Sequence, residues 1–240
     1  DAMSSPAPIG GSPWFTGTVE RITTETARAK TFTLRLPAPL GHRAGQHVVL
    51  RLTAPDGYSA ARSYSVASAP TDEATIDLTV ERLDEGEVST FLHDGAEVGD
   101  ELELRGPIGT RFAWSPADGP ALLVGGGSGV VPLMSMLRLA RTADRSGLVR
   151  LVVAARTPDD LLYAAELPGP EVTLAYSRAV GPEDRPAGRL AADDLAPSVR
   201  PGQYTFICGS SGFCEAAGAH LVALGVDPRT ITVERFGPTT

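Results

Sequence analysis

The chain has 240 residues, of which 42% are hydrophobic, and its 21 basic and 29 acidic residues give a formal net charge of −8; this length suits one or two globular domains, and we expect two. Neither the part up to residue 116, with ten basic and sixteen acidic residues, nor the remainder, with eleven and thirteen, has the basic excess of a nucleic-acid-binding protein. No run approaches the roughly 18 consecutive apolar residues of a membrane span and no basic and apolar leader opens the sequence, so we expect a cytoplasmic protein with no membrane contact.

The first half of the sequence has the pattern of an all-β domain. Residues 1–12 are rich in Pro, Gly and Ser and predict a flexible tail. Residues 13–116 then contain six short β-rich runs separated by turn residues, which predict a closed β-barrel or a small sandwich. The predicted strands are 15–24, 31–36, 46–53, 63–66, 75–81 and 101–104.

The fourth predicted strand carries Arg62, Ser63, Tyr64 and Ser65. Side chains alternate along a strand, so Arg62 and Tyr64 share one face and the two serines share the other. A guanidinium suits a diphosphate, and a flat phenol suits an aromatic ring. Alone, the motif also fits a barrel strand with a surface arginine and a half-buried tyrosine.

A glycine turn after the fifth strand opens a short predicted helix at Gly86. The free N–H groups and the dipole at a helix N-terminus favour anions. Ser89 fits either a phosphate ligand or an ordinary N-cap, and both roles are compatible.

The second predicted domain, residues 117–240, begins within the predicted linker 114–120. After the linker, apolar strands alternate with helices. This alternation predicts a parallel sheet covered by helices on both faces. The predicted strands are 121–124, 149–155, 172–176 and 204–208, and the predicted helices are 132–142, 158–167 and 213–224.

A glycine-rich turn at residues 125–129 connects the first of these strands to its helix, with Pro132 in the first helical turn. Such a turn lets backbone approach a pyrophosphate closely, although a plain tight turn has the same composition. It is neither the usual Rossmann fingerprint, because Val130 stands where the third glycine is expected, nor a P-loop, because no Gly-Lys-Ser/Thr follows.

Arginines follow the next two strands, where an NAD-selective site would carry an acidic residue. Arg156 follows the first of them, Arg178 follows the second together with the hydroxyl of Ser177, and Arg189 lies further on. A 2′-phosphate needs guanidinium and hydroxyl donors, so this set favours NADPH over NADH, with solvated surface arginines as the alternative.

The last strands end in Cys208 and in Glu234 with Phe236. Cys208 and Cys214 are the only cysteines, so the chain has too few thiolates for an iron–sulfur cluster of its own. The four histidines show no ligand spacing, and we predict no metal site.

These segments, taken in order, resemble the ferredoxin–NADP reductase-like flavoproteins over residues 14–237. The resemblance implies an antiparallel FAD-binding β-barrel followed by a Rossmann-like, parallel-sheet NADP-binding domain. It implies that Ser65, Cys208, Glu234 and Phe236 surround the site of hydride transfer. It also implies the cofactor-binding residues Arg62, Ser63, Tyr64, Ser65, Thr79, Val80, Glu81, Gly86, Val88, Ser89, Thr90, Gly126, Gly127, Ser128, Gly129, Pro132, Arg156, Ser177, Arg178, Arg189, Cys208, Gly209 and Phe236.

By the same resemblance, hydride passes from NADPH to FAD, and electrons then leave to a separate acceptor such as a ferredoxin, another iron–sulfur protein or a haem protein. Two alternatives stay open: an NAD(P)H-dependent reductase of free flavin or small molecules, and a non-catalytic electron-relay or redox-sensing subunit. FMN in place of FAD also stays open, and the sequence gives no oligomeric state.

Overall fold

Two sheets built on different plans make up residues 13–236, the part of the chain that this computed structural model describes. An antiparallel six-stranded sheet comes first and a parallel five-stranded sheet flanked by helices comes second, which confirms the predicted fold class. The predicted tail at 1–12 and Gly237 lie outside the described residues.

The first sheet curls into a barrel. Its strand order is β4-β3-β6-β1-β2-β5, and an antiparallel bridge from Val66 to Leu78 joins the two edges. Phe32, Leu34 and Leu104 fill the interior and are almost completely buried. The elements are β1 (Phe15–Thr26), β2 (Ala29–Arg35), β3 (His47–Thr53), β4 (Ser59–Ser65), β5 (Thr75–Glu81), α1 (Glu87–Asp94) and β6 (Glu101–Ile108).

The second sheet is parallel throughout, in the order β11-β10-β7-β8-β9. Leu122 and Leu123 of its central strand are fully buried in two different clusters, so helices cover both faces. The elements are β7 (Ala121–Gly126), α2 (Val130–Thr142), β8 (Val149–Ala155), β9 (Val172–Tyr176), α3 (Ala192–Leu195), β10 (Tyr204–Gly209), α4 (Ser211–Ala223) and β11 (Ile231–Arg235).

The helix predicted at 158–167 is wrong. The segment makes a single 3₁₀ turn at Pro158–Asp160 and then continues without a helix. Leu161, Leu162 and Tyr163 are all buried, and three successive side chains cannot share one face of a helix. Tyr163 also has φ of 57°, in the left-handed region, which ends any right-handed helix.

The two domains share a packed interface. The Phe112 and Phe206 rings meet edge to face with centroids 5.3 Å apart. Trp114, in the predicted linker, is fully buried and donates its indole N–H to the Gly119 carbonyl at 3.0 Å. The connection between the domains is therefore part of the core, and it sets the relative position of the two sheet edges that carry the site.

Candidate functional site

The end of β4 holds the first motif as predicted from strand alternation. Arg62 and Tyr64 lie opposite Leu50 and Val48 of β3, two residues apart and so on one face. Arg62 is exposed, while Tyr64 packs on the barrel core. Burial raises the pKa of Tyr64 to about 12, against a smaller lowering by the Arg62 charge, so the phenol stays neutral.

The serines of the motif differ in exposure. Ser63 is open to solvent, whereas Ser65 is 5% exposed and pairs with His47 of β3. Burial lowers the pKa of His47, so this neighbour is neutral at neutral pH. Ser65 thus ends β4 beside a neutral imidazole, two residues before Ala67, which packs in a cluster with residues of the second domain.

The turn before α1 explains both Gly86 and Ser89. Ser89 Oγ accepts from the Leu83 N–H at 3.1 Å and donates to the Gly86 carbonyl at 3.1 Å. A side chain at Gly86 would collide with that hydroxyl. The N-cap is Gly86 itself, so the N-cap role considered for Ser89 is wrong: its hydroxyl closes the turn.

The first turn of α1 leaves its backbone N–H groups without partners inside the helix, which suits an anion. Val88 is buried beneath this turn, and Thr90 Oγ1 donates to the Leu83 carbonyl at 3.4 Å. A mainly apolar cavity of about 360 Å³ lies between α1 and the β3–β4 hairpin, with Tyr58, Ala60 and Phe91 among its walls.

The β5 side chains predicted to bind cofactor are mostly engaged elsewhere. Thr79 Oγ1 is hydrogen-bonded to Thr31 Oγ1 at 2.8 Å and to Tyr163 Oη at 2.5 Å. Val80 is buried in the barrel core, and Glu81 is exposed. Any contact of Thr79 or Val80 with a cofactor is therefore left to their main chains.

Tyr163 is a residue that sequence reasoning missed. It belongs to the second domain, yet its hydroxyl meets Thr79 of the barrel, and the Arg138 guanidinium lies 5.0 Å from its ring centre. Arg138 also donates to the Ala67 carbonyl of the barrel at 2.8 Å. The only sequence signal was the apolar run 161–163, which is also compatible with a helix core.

The glycine turn after β7 is a crowded backbone junction. A side chain at Gly129 would overlap the Cys208 carbonyl, and one at Gly126 would lie 2.7 Å from the Phe213 ring. Gly127 has φ of 56° and open space around it. The turn therefore requires glycine for close packing on β10 and offers an open, side-chain-free surface.

That turn runs directly into α2. Residues Gly127–Gly129 form a 3₁₀ turn with Ser128 half-exposed, and α2 then begins at Val130, two residues before the predicted start at Pro132. Pro132 is buried in the first helical turn, where its missing N–H costs nothing. The N-terminus of α2 thus lies at the carboxyl edge of the sheet, beside the glycine backbone.

The predicted 2′-phosphate residues share this carboxyl edge. The Ser177 N–H donates to the Ala155 carbonyl at 3.0 Å, and the Arg178 N–H donates to the Arg156 carbonyl at 2.8 Å, so the ends of β8 and β9 lie side by side. Arg156, Arg178 and Arg189 are exposed, and none forms an ion pair within residues 13–236.

Cys208 and Glu234 face each other across β10 and β11. Burial, and secondarily the Glu234 charge, raises the pKa of the fully buried Cys208 thiol, which keeps it protonated. Burial raises the pKa of Glu234 to about 7, and its Oε2 is buried with no hydrogen-bond partner among the described residues. A carboxyl group with a neutral-range pKa and a free oxygen is suited to meet a polar ligand group.

Phe236 follows β11 and completes this corner. Its N–H donates to the Gly209 carbonyl at 2.9 Å, and its ring packs on the buried cluster that contains both Cys208 and Ala67. Ala67 lies two residues beyond Ser65, so the structure brings the end of the Arg62–Ser65 segment and the end of β10 to one apolar cluster.

Two further features of the described residues bear on ligand classes. No group of three or more His, Cys, Asp or Glu side chains within residues 13–236 could hold a metal ion. No helix in the same range is long and apolar enough to cross a membrane.

Comparison with known proteins agrees with the two halves of the site. The family model described as the oxidoreductase FAD-binding domain matches residues 16–113, and that of the oxidoreductase NAD-binding domain matches residues 123–181. The chain is 34% identical over 234 residues to the glycine betaine monooxygenase reductase subunit of Chromohalobacter salexigens, covering 91% of this chain and 63% of that protein. It is 27% identical to the ferredoxin–NAD(P)+ reductase component of the naphthalene 1,2-dioxygenase/salicylate 5-hydroxylase systems of a Ralstonia species, covering 93% and 69%.

Among solved structures, the flavohaem-like FAD/NAD-binding domain of nitric oxide dioxygenase from Vibrio cholerae superimposes with a TM-score of 0.82 at 26% identity, covering 93% of this chain and 99% of that domain. The two family models match the barrel and the parallel-sheet domain in the order that the fold shows. The chain belongs to the family of FAD- and NAD-binding oxidoreductases of the ferredoxin–NADP reductase type.

Proposed function

We propose that this chain is a flavin-dependent NADPH oxidoreductase that passes electrons to a separate one-electron acceptor protein. The observation that carries the proposal is the meeting of the barrel motif and the carboxyl edge of the second sheet at one buried cluster, which contains Ala67 and Cys208 with Phe236 packed on it. The two cofactors must meet for electrons to pass, and this corner is where their predicted sites converge.

The barrel residues fit FAD by the chemistry of their donors. Arg62 offers an exposed guanidinium beside the neutral Tyr64 ring, and the free amides of α1 open from a turn in which a side chain at Gly86 would collide with Ser89. Arg62 and the α1 turn would hold the diphosphate, and Tyr64 would pack against the flavin side. The cavity between α1 and the β3–β4 hairpin gives room for the adenosine part of FAD, which favours FAD over FMN.

The second domain fits NADPH by its backbone and its charge. The glycine turn at 126–129 gives a side-chain-free surface at the N-terminus of α2 for the pyrophosphate. Arg156, Arg178 and Arg189, with the Ser177 hydroxyl, would receive the 2′-phosphate, because none of the three guanidinium groups is committed to a carboxylate within the described residues.

When bound, FAD supplies the ability to accept a hydride from the nicotinamide and to release electrons one at a time. The chain itself positions the two rings and excludes water. Phe236 and Cys208, which share one apolar cluster, would form a wall of the site, and Ser65 and Glu234 would supply its polar groups. Glu234 holds a proton below pH 7 and is free to share it with an amide group at its unpartnered Oε2.

The acceptor is inferred from the relatives. Two of them are named as reductase components of oxygenase systems, one of these as a ferredoxin reductase. We therefore propose a ferredoxin, another iron–sulfur protein or a haem protein as the acceptor. The free, buried thiols of Cys208 and Cys214 support a reducing compartment, in keeping with the cytoplasm.

The test is an anaerobic titration of the purified FAD-loaded protein with NADPH and, separately, NADH, followed by the visible flavin absorbance. Each NAD(P)H delivers one hydride to one FAD, so preference appears in the rate: we expect an equivalent of NADPH to bleach the flavin rapidly and the same amount of NADH to bleach it much more slowly. A protein that binds no FAD, or whose flavin neither nucleotide bleaches, would contradict the proposed activity.

Two variants examine the 2′-phosphate assignment. Arg178→Ala is expected to raise the NADPH concentration that gives half the maximal rate of flavin reduction by about tenfold, the value of one hydrogen bond between charged groups, and to leave the NADH value unaffected. Arg145→Ala is the control, because it removes an exposed arginine from the opposite, amino edge of the same sheet. If the unaltered protein uses the two nucleotides equally well, the preference for NADPH is refuted, but the proposed oxidoreductase activity is not.

A further inference from the structure

The loop between β9 and α3 is organised around a partly buried arginine that points inward. Arg185 is 16% exposed and Asp194, its carboxylate partner, 12% exposed. Their contact is bidentate: Nε meets Oδ1 at 2.5 Å and Nη2 meets Oδ2 at 2.7 Å. A fork of this kind fixes orientation as well as distance.

The same guanidinium also binds the backbone of the loop. It donates to the carbonyl of Tyr176 at 3.2 Å, to that of Gly188 at 3.4 Å and to that of Arg189 at 3.1 Å. Tyr176 is the last residue of β9 and directly precedes Ser177 and Arg178. One side chain therefore ties together the two stretches of backbone that carry Ser177, Arg178 and Arg189, three of the four proposed 2′-phosphate donors.

Asp194 anchors this arrangement to the core. Its Oδ2 also accepts from the Ala191 N–H at 2.8 Å, and the next residue, Leu195, is fully buried in the cluster beneath β10 and α4. The Arg185 hydrogen bond is the main reason why the pKa of Asp194 lies below its ordinary range, so Asp194 is charged at neutral pH. The loop is thus held by an ion pair whose carboxylate partner, Asp194, is anchored to the core.

The backbone just before Arg185 is strained. Glu183 and Asp184 have φ of 54° and 57°, and two successive non-glycine residues in the left-handed region persist only where their surroundings impose it. The turn that they make is closed by a hydrogen bond from the Gly181 N–H to the Arg185 carbonyl at 2.8 Å. The Arg185 side chain, which follows this turn, lies inside the loop.

We propose that the Arg185–Asp194 pair is a positioning clamp that sets the affinity and selectivity for the 2′-phosphate of NADPH by holding Arg178 and Arg189 on one side of the sheet edge. The proposal rests on the proposed function, in which those two arginines receive the phosphate. Arg185 is a positioning residue: all of its donors are used within the protein, and it reaches the ligand only through the backbone that it holds.

The test measures binding by calorimetry, with 2′,5′-ADP as the fragment that carries the 2′-phosphate and 5′-AMP as the fragment that lacks it. Arg185→Met, which keeps side-chain bulk but removes every donor, is expected to weaken 2′,5′-ADP binding at least about tenfold, the equivalent of one hydrogen bond to a charged group. The binding of 5′-AMP is expected to change less than about threefold, because this fragment has no 2′-phosphate to meet Arg178 or Arg189. Asp194→Asn is the second variant and is expected to act in the same direction while keeping an acceptor for the Ala191 N–H.

The matched control is Arg141→Met. Arg141 forms a comparable buried pair with Glu171, 25% and 5% exposed, and also donates to backbone carbonyls, but of residues 166–168, ahead of the start of β9. If the loss of any such ion pair weakened binding through the structure in general, Arg141→Met would also bind 2′,5′-ADP less tightly. All variants are compared at equal FAD content.

Three outcomes are informative. Selective loss of 2′,5′-ADP binding in Arg185→Met or Asp194→Asn, with Arg141→Met unchanged, supports the clamp. Equal weakening of both fragments, an equal effect of Arg141→Met, or no effect in either clamp variant overturns it while leaving the proposed function intact. If the unaltered protein binds 2′,5′-ADP no more tightly than 5′-AMP, the NADPH preference fails, and the clamp's role in it fails as well.

Discussion

Glu234 gives the sharpest prediction, because its carboxyl group is buried with one oxygen unpartnered among the described residues. Burial raises the pKa of this group from an ordinary value of 4.5 to about 7. Its charged form is therefore less favourable in the folded than in the unfolded protein. The contribution of Glu234 to stability is therefore least unfavourable where this group is protonated, and it becomes more unfavourable as pH rises from about 4.5 through 7.

The structure sets the size of the effect. At about 1.4 kcal/mol per pKa unit, the rise to about 7 corresponds to at most about 3.5 kcal/mol. Glu234 keeps partial access to solvent, which screens the charge, so we expect about 2 kcal/mol. Glu234→Gln removes the ionisation and keeps the shape of the side chain.

Urea denaturation of both proteins at several values from pH 5 to pH 8, followed by tryptophan fluorescence, measures the difference in free energy of unfolding. We expect the free energy of unfolding of Glu234→Gln, relative to that of the unaltered protein, to rise by about 2 kcal/mol between pH 5 and pH 8. Any pH-independent difference between the two proteins adds to this change. Glu215→Gln, which removes a carboxylate from the exposed side of α4, is the control. A difference that stays flat with pH, or that Glu215→Gln reproduces, would refute the reasoning.

Two further predictions concern packing. Gly129→Ala places a methyl group against a backbone carbonyl of β10 and is expected to cost about 1–3 kcal/mol in thermal or urea unfolding, whereas Gly212→Ala, in open space on α4, is expected to be neutral or stabilising by up to about 1 kcal/mol; equal effects would contradict the crowding argument. Tyr163→Phe removes the hydroxyl that meets Thr79 across the domains and is expected to cost about 1 kcal/mol in urea unfolding, with the same change at the exposed Tyr204 as control, and an unaltered stability would show that this contact adds nothing.

The sequence by itself determined the fold class and the order of the site elements. Period-two alternation in 75–81 and continuous apolar strands such as 121–124 are local consequences of one-sided and two-sided burial, so they are readable without a structure. The segment Arg62–Ser65 and the glycine run at 125–129 likewise carry their chemistry within a few residues. That the ends of β8 and β9 lie side by side also follows from parallel pairing, which explains why Arg156 and Arg178 could be grouped in advance.

Only the tertiary structure decided which of these side chains are free and which are committed. Thr79 is in the cofactor-lining segment but bonds to Tyr163 of the other domain, and the run 161–163, which has the composition of a helix core, forms a buried turn instead. Arg185, one of several arginines in its loop, turns inward to Asp194 while Arg189 stays exposed. The physical reason is that burial and hydrogen bonding are set by groups distant in the chain, so residues of the same type in the same loop acquire opposite roles that no local pattern records.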